Sequence, residues 1–160
     1  FGDHRVRIRT LLGSCVSVTL WHPQRCIGGM CHYLLPGNGR IPPDRLDGRY
    51  APDALAMFCR ELQRNGSRPG DYEVKIFGGG RMFISNSGMD FGLLDVGSRN
   101  IDAGRQLLLG HGFVIKAEHL AGDGHRNLVF DISTGDVWVR HCNDVALNGD
   151  KSKHNRGRGR

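Results

Sequence analysis

Alternation between hydrophobic and polar residues dominates this chain, and it predicts more strands than helices. Residues 4–10 alternate strictly, which places Val6 and Ile8 on the inward face of a predicted first strand. A second and a third strand are predicted at residues 16–21 and 27–35. The short connection between them indicates an antiparallel hairpin near the start of the chain.

The loop of this hairpin is predicted at residues 22–25, as a four-residue connection built on a type I turn. That loop pairs Trp21 with Cys26 and, farther along the strands, Cys15 with His32. Directly opposed residues share one face of a sheet and lie close together. The register therefore predicts a thiol beside an imidazole.

Two segments have the spacing of amphipathic helices. The first is predicted at residues 50–64, with Pro52 in its first turn. The second is predicted at residues 95–110, where Ser98 or Asn100 could act as the N-terminal cap. The apolar stripe of the first helix consists of Ala54, Leu55, Phe58, Cys59 and Leu62.

The later part of the chain returns to short strands, which are predicted at residues 71–77, 114–120, 127–132 and 137–140. Helical segments interrupt the strands and do not alternate with them one for one. This pattern favours a layered α+β fold with a mixed, mostly antiparallel sheet and two principal helices. The glycines at 78–80 lack the lysine and the spacing of a phosphate-binding loop, so they predict a turn where two backbones approach closely.

Positive charge is concentrated at the end of the chain. The 160 residues have a formal net charge of +6, while residues 151–160 alone carry five positive charges and no acidic residue. We expect one domain, residues 1–148, followed by a basic and disordered tail, residues 149–160. Nucleic-acid binding through this tail is the lesser functional alternative, because the tail has no aromatic residue that could stack on bases.

The five cysteines follow no regular spacing, which favours reduced thiols and a cytoplasmic location. Cys26, Cys31 and His32 lack an evident fourth ligand, so neither a metal nor another cofactor is predicted. No apolar run is long enough to cross a bilayer, and membrane insertion is not expected.

The predicted pair of Cys15 and His32 has the components of nucleophilic catalysis. A thiolate is a strong nucleophile, and a neighbouring imidazolium can stabilise it and later protonate a leaving group. Gly13 permits a tight backbone, so that amides near Ser14 and Cys15 could point at a developing oxyanion. Thr10 could orient the histidine. The structural alternative is that Cys15 is a small buried hydrophobic residue and that His32 has no catalytic role.

Two segments carry a resemblance to a known family. Residues 10–18 read Thr-Leu-Leu-Gly-Ser-Cys-Val-Ser-Val, and residues 27–36 read Ile-Gly-Gly-Met-Cys-His-Tyr-Leu-Leu-Pro. They resemble the CheD family, the chemoreceptor glutamine deamidases of bacterial chemotaxis. The likeness continues through Lys-Ile-Phe-Gly-Gly-Gly at 75–80 and Val-Gly-Ser-Arg-Asn at 96–100.

The resemblance implies an α/β sandwich and a catalytic set that consists of Cys15, His32 and Thr10. It implies hydrolysis of glutamine side-chain amides to glutamate on methyl-accepting chemoreceptors, through a thioester. Glutamyl methyl esters could follow the same acyl-enzyme route. The implied partners are the cytoplasmic receptor helices, as substrate, and the phosphatase CheC, as a regulator. The alternative from another class is a non-catalytic module that binds receptor helices or CheC.

Overall fold

The computed structural model describes residues 1–37, 45–81 and 95–142. Two α-helices, one short 3₁₀ helix (Pro69–Asp71) and eight strands lie in these ranges. The α-helices are α1 (Ala51–Arg64) and α2 (Val96–Gly110). The strands are β1 (Gly2–Asp3), β2 (Arg7–Leu12), β3 (Val16–His22), β4 (Ile27–Tyr33), β5 (Glu73–Gly78), β6 (Ile115–Leu120), β7 (His125–Asp131) and β8 (Val137–Cys142).

The strands form two sheets. One sheet has five strands in the order β1-β4-β3-β5-β6, and the other has three in the order β2-β7-β8. All neighbouring strands are antiparallel except β5 and β6, which are parallel and are connected through α2. The prediction of an α+β sandwich with mixed, mostly antiparallel strands and two principal helices is confirmed for the described residues.

Both helices pack on one face of the five-stranded sheet. Alternate residues of β3, namely Val16, Val18 and Leu20, are buried in the same hydrophobic cluster as Phe58 of α1 and Ile101 of α2. Because side chains of a strand alternate between its two faces, the residues between them point the other way. The predicted apolar stripe of α1 supplies this core, and Cys59 packs at its margin.

The opposite face of the five-stranded sheet packs against the three-stranded sheet. Leu12 of β2, Phe77 of β5 and Leu128 of β7 form a second buried cluster in this layer. Cys15 and Met30 pack against that cluster. The layer between the two sheets is therefore where the predicted nucleophile lies.

The predicted register of the β3–β4 hairpin is wrong by two residues. Ser17 pairs with His32 and Trp21 with Gly28, in place of the predicted Cys15–His32 and Trp21–Cys26 pairs. Strand β3 continues to His22, whose buried ring packs edge-on against Tyr72. The loop consequently begins one residue later than predicted and ends with Cys26 in the left-handed region, at φ 47°.

Two smaller predictions are also wrong. Val6 does not point inward, because β2 begins only at Arg7, and Val6 is exposed. Helix α2 is capped by Asp95, whose carboxylate accepts from the Ser98 backbone N–H, and neither Ser98 nor Asn100 is the cap. The predicted tail at 149–160 lies outside the described residues.

Helix α2 lies very close to the sheet at Gly104. A Cβ at this position would lie much closer to the Tyr33 hydroxyl oxygen than a van der Waals contact allows. That hydroxyl is held in place, since it donates to the Asn100 carbonyl at 2.8 Å. The absence of a side chain at position 104 therefore determines how closely α2 can approach β4.

We predict that Gly104→Ala lowers the free energy of unfolding by about 1–3 kcal/mol, because overpacking displaces α2. The matched control is Gly110→Ala on the same helix, where an added Cβ has no heavy atom within 4 Å. The control should be neutral or gain up to about 1 kcal/mol from helix propensity. Urea unfolding of both variants measures the difference, and equal stabilities would contradict the close approach.

Candidate active site

The site begins with a hydrogen bond that joins the two sheets. Thr10 lies on β2 of the three-stranded sheet, and His32 lies on β4 of the five-stranded sheet. The Thr10 hydroxyl oxygen and the His32 Nδ1 are 2.9 Å apart. The other ring nitrogen, Nε2, is buried and has no hydrogen-bond partner among the described residues. Thr10 thus fixes the orientation of the His32 ring through Nδ1, and Nε2 has no acceptor or donor in the described part of the chain.

Cys15 lies on the same side of the five-stranded sheet as His32. In the observed register, Ser17 is directly opposite His32, and Cys15 precedes Ser17 by two residues. Residues separated by two share a face, so the two-residue error in register leaves Cys15 diagonal to His32 and not behind it. The contact of Cys15 with the cluster between the sheets supports this placement. The His32 Nδ1 is bonded to Thr10, and Nε2 has no hydrogen-bond partner among the described residues. The Cys15 thiol and the His32 ring are therefore not hydrogen-bonded to each other.

Both groups favour their neutral forms. Burial raises the pKa of the Cys15 thiol, and its own backbone N–H offsets this only in part. Burial also lowers the pKa of His32. Both shifts act against a thiolate–imidazolium pair, whose catalytic role stays a prediction.

The segment at residues 13–15 is anchored through its backbone. The Gly80 N–H donates to the Gly13 carbonyl, and the Gly79 N–H donates to the Cys15 carbonyl, each at 2.8 Å. Gly78 lies so close to Cys15 that an added Cβ would overlap the Cys15 carbonyl oxygen, and its φ of 115° also favours glycine. The predicted close approach of two backbones at 78–80 is confirmed, and the segment it approaches carries the thiol.

Sequence reasoning missed the connection from α2. Asn100 is completely buried, and its side-chain Nδ2 donates to the carbonyls of Ser14 at 3.1 Å and Leu34 at 2.9 Å. The Ser14 carbonyl directly precedes Cys15, and Leu34 lies two residues after His32. The alternation pattern could only place Asn100 near the start of a helix; its presence in the 96–100 motif was the available signal.

An open depression lies beside the end of β4, on the side of α2. Pro36, Gly37, Pro52 and Arg99 contribute to its lining. Among residues 1–37, 45–81 and 95–142, no cluster of three or more His, Cys, Asp or Glu side chains is arranged to hold a metal ion. In the same ranges, neither helix is long and apolar enough to span a membrane.

We predict that the His32 ring titrates below its usual value of about 6.5, because burial penalises the imidazolium. Since the unfolded chain then binds more protons, the His32 contribution to stability is present above about pH 6.5 and is lost as the pH falls through the lowered pKa. NMR titration of the ring in folded and urea-unfolded protein measures both values. A folded-state pKa at or above the unfolded one would contradict the buried site.

Comparisons with known proteins point to one family. A family model described as CheD chemotactic sensory transduction matches residues 34–141. The chain is 47% identical over 139 residues to the probable chemoreceptor glutamine deamidase CheD 3 of Dechloromonas aromatica (strain RCB), covering 87% of this chain and 80% of that protein. It is 45% identical over 161 residues to the probable chemoreceptor glutamine deamidase CheD of Pseudomonas savastanoi pv. phaseolicola (strain 1448A / Race 6), covering 100% and 90%.

A more distant relative has a similar name. The probable chemoreceptor glutamine deamidase CheD 1 of Leptospira interrogans is 35% identical over 144 residues, which cover 87% of this chain and 85% of that protein. Each alignment spans most of both chains, so the similarity extends across the fold and not only across the segments around Cys15 and His32.

Proposed function

Because the chain belongs to the CheD family, we propose that it hydrolyses glutamine side-chain amides to glutamate on methyl-accepting chemoreceptors, with Cys15 as the nucleophile. The observation that carries the proposal is the hydrogen bond between Thr10 and the His32 Nδ1, which leaves a buried Nε2, unpartnered among the described residues, on the face that also carries Cys15. A cytoplasmic location accompanies this proposal, since the substrate would be the cytoplasmic helices of the receptors.

The first half-reaction forms a thioester. The Cys15 thiol transfers its proton to the His32 Nε2 while the sulfur attacks the carboxamide carbon, and the carbonyl oxygen becomes an oxyanion. Backbone amides near Ser14 and Cys15 stabilise that oxyanion. The tetrahedral intermediate then collapses, its C–N bond breaks, and the leaving nitrogen takes the proton from His32 and departs as ammonia.

The second half-reaction releases glutamate. His32 takes a proton from water as the water oxygen attacks the thioester carbon, and the C–S bond then breaks. The proton returns from His32 to the Cys15 sulfur. The neutral resting pair suits this cycle, because a histidine with a lowered pKa remains free to accept a proton at neutral pH.

Thr10 would select the ring tautomer that the cycle needs. If the Nδ1–H donates to the Thr10 hydroxyl oxygen, the lone pair of Nε2 faces the thiol. The opposite tautomer would place a proton on Nε2 and prevent it from acting as a base. Thr10 therefore holds His32 through its side chain in this proposal.

The first test follows the mass gain of a receptor fragment as the NH₂ of a glutamine side chain is replaced by OH. We expect Cys15→Ala to lower the rate about 10³-fold or more, as removal of a catalytic nucleophile does. Cys59→Ala is the matched control, because Cys59 is also a partly buried free thiol but lies on α1. Mass spectrometry of the fragment measures both rates. Equal rates for Cys15→Ala and the parent would favour the non-catalytic binding module.

The second test concerns Thr10. Thr10→Val keeps the shape of the side chain and removes its hydroxyl, so we expect kcat to fall about tenfold to a hundredfold while the fold is retained. Thr10→Ser keeps the hydroxyl and should retain most of the activity. Nitrogen NMR shifts of His32 should show loss of the Nδ1–H form in Thr10→Val only. Parental activity and an unchanged tautomer in Thr10→Val would contradict the assigned role.

The proposal extends to esters and to one regulator. A glutamyl methyl ester would follow the same acyl-enzyme route with methanol as the leaving group, so Cys15→Ala should abolish both activities together. CheC is proposed as the regulator that occupies the site, and competition between CheC and a receptor fragment for the parent protein would test it.

A further inference from the structure

Asn100 makes contacts that connect the two segments of the active site. It is the fifth residue of α2, and its side chain is completely buried. Its Nδ2 donates to the carbonyls of both Ser14 and Leu34. Its Oδ1 is buried without a hydrogen-bond partner among the described residues. The side chain is therefore held by its amide nitrogen alone.

The bond to Ser14 has a consequence for Cys15, because the two residues share a peptide unit. That unit is planar and trans, so the Ser14 C=O and the Cys15 N–H point in opposite directions. A carbonyl fixed toward Asn100 consequently sends the Cys15 N–H away from α2. The Asn100 side chain thus determines the direction of an amide that it does not touch.

The direction away from α2 is the direction of the proposed chemistry. Helix α2 packs on the outer face of the five-stranded sheet, whereas Cys15 packs against the cluster between the two sheets. The Gly79 N–H donates to the Cys15 carbonyl, but no backbone hydrogen bond from the Cys15 N–H is found among the described residues. Within residues 1–37, 45–81 and 95–142 this amide therefore has no backbone acceptor on another residue, and it lies on the side of its own thiol, whose pKa it lowers.

We propose that Asn100 is a positioning residue that presets the Cys15 N–H as an oxyanion donor. Through Ser14 it fixes the orientation of that amide before substrate arrives. Through Leu34 it ties the same helix to the end of the strand that carries His32. The inference rests on the proposed deamidase function and concerns the donor that stabilises its tetrahedral intermediate.

The test separates oxyanion stabilisation from nucleophile placement. Asn100→Leu keeps a similar shape and removes both donors without adding charge. The matched control is Asn65→Leu, since the Asn65 Nδ2 also donates to a backbone carbonyl, that of Glu61, at the end of α1. For each variant, kcat and KM for a receptor fragment are compared with the alkylation rate of Cys15 by iodoacetamide, a reaction that develops no oxyanion.

We expect Asn100→Leu to lower kcat at least about tenfold, short of the 10²- to 10³-fold loss that follows outright removal of an oxyanion donor. KM and the alkylation rate should remain parental, and Asn65→Leu should leave all three unchanged. A parental kcat in Asn100→Leu overturns the proposal. So does an alkylation rate that falls in parallel with kcat, because the nucleophile itself would then have moved.

Circular dichroism and thermal unfolding show whether Asn100→Leu folds. If it does not, Asn100→Ser, a smaller change, is measured by the same criteria. Unfolding of both variants would make Asn100 a structural residue and reject the proposal. Failure of the proposed function is recognised separately, since the parent protein would then deamidate the fragment no faster than Cys15→Ala.

Discussion

The structure depends on how the chain crosses between its two sheets at residues 13–15. Strand β2 belongs to one sheet and β3 to the other, so this short, half-buried segment must turn from one layer to the next. Each of its three carbonyls accepts a hydrogen bond, from Gly80, Asn100 and Gly79 in turn. A segment whose backbone carbonyls accept hydrogen bonds from residues elsewhere in the chain can be irregular and still be held in one conformation. That rigidity places a thiol at the crossing.

The surroundings of the thiol explain the direction of both pKa shifts in the site. The layer between the sheets is apolar, with Leu12, Phe77 and Leu128 at its centre. Such a medium penalises charge, which raises the pKa of Cys15 and lowers that of His32. The hydrogen bond between Thr10 and the His32 Nδ1 orients the ring without adding a charge. Both pKa shifts therefore disfavour a preformed thiolate–imidazolium ion pair.

Some of the site could be predicted from alternation alone, even though the register was wrong. Sheet residues alternate with a period of two, so an error of two residues preserves the face on which Cys15 and His32 lie. An error of one residue would have separated them. The start of helix α1 could be predicted for a similarly local reason, because Pro52 suits a first turn. The N-terminal cap of α2 could not be predicted, since several polar residues near Asp95 could have capped the helix.

The sequence by itself determined the local elements, the α+β class and the side-chain types available to the proposed site, because periodicity and side-chain type are properties of short segments. Only the tertiary structure decided that Thr10 reaches His32 across two sheets, that the three glycines support the crossing segment, and that Asn100 binds the carbonyls on either side of the site. These contacts join residues far apart in the chain. They depend on how closely the layers pack, and no periodicity along the chain records that distance.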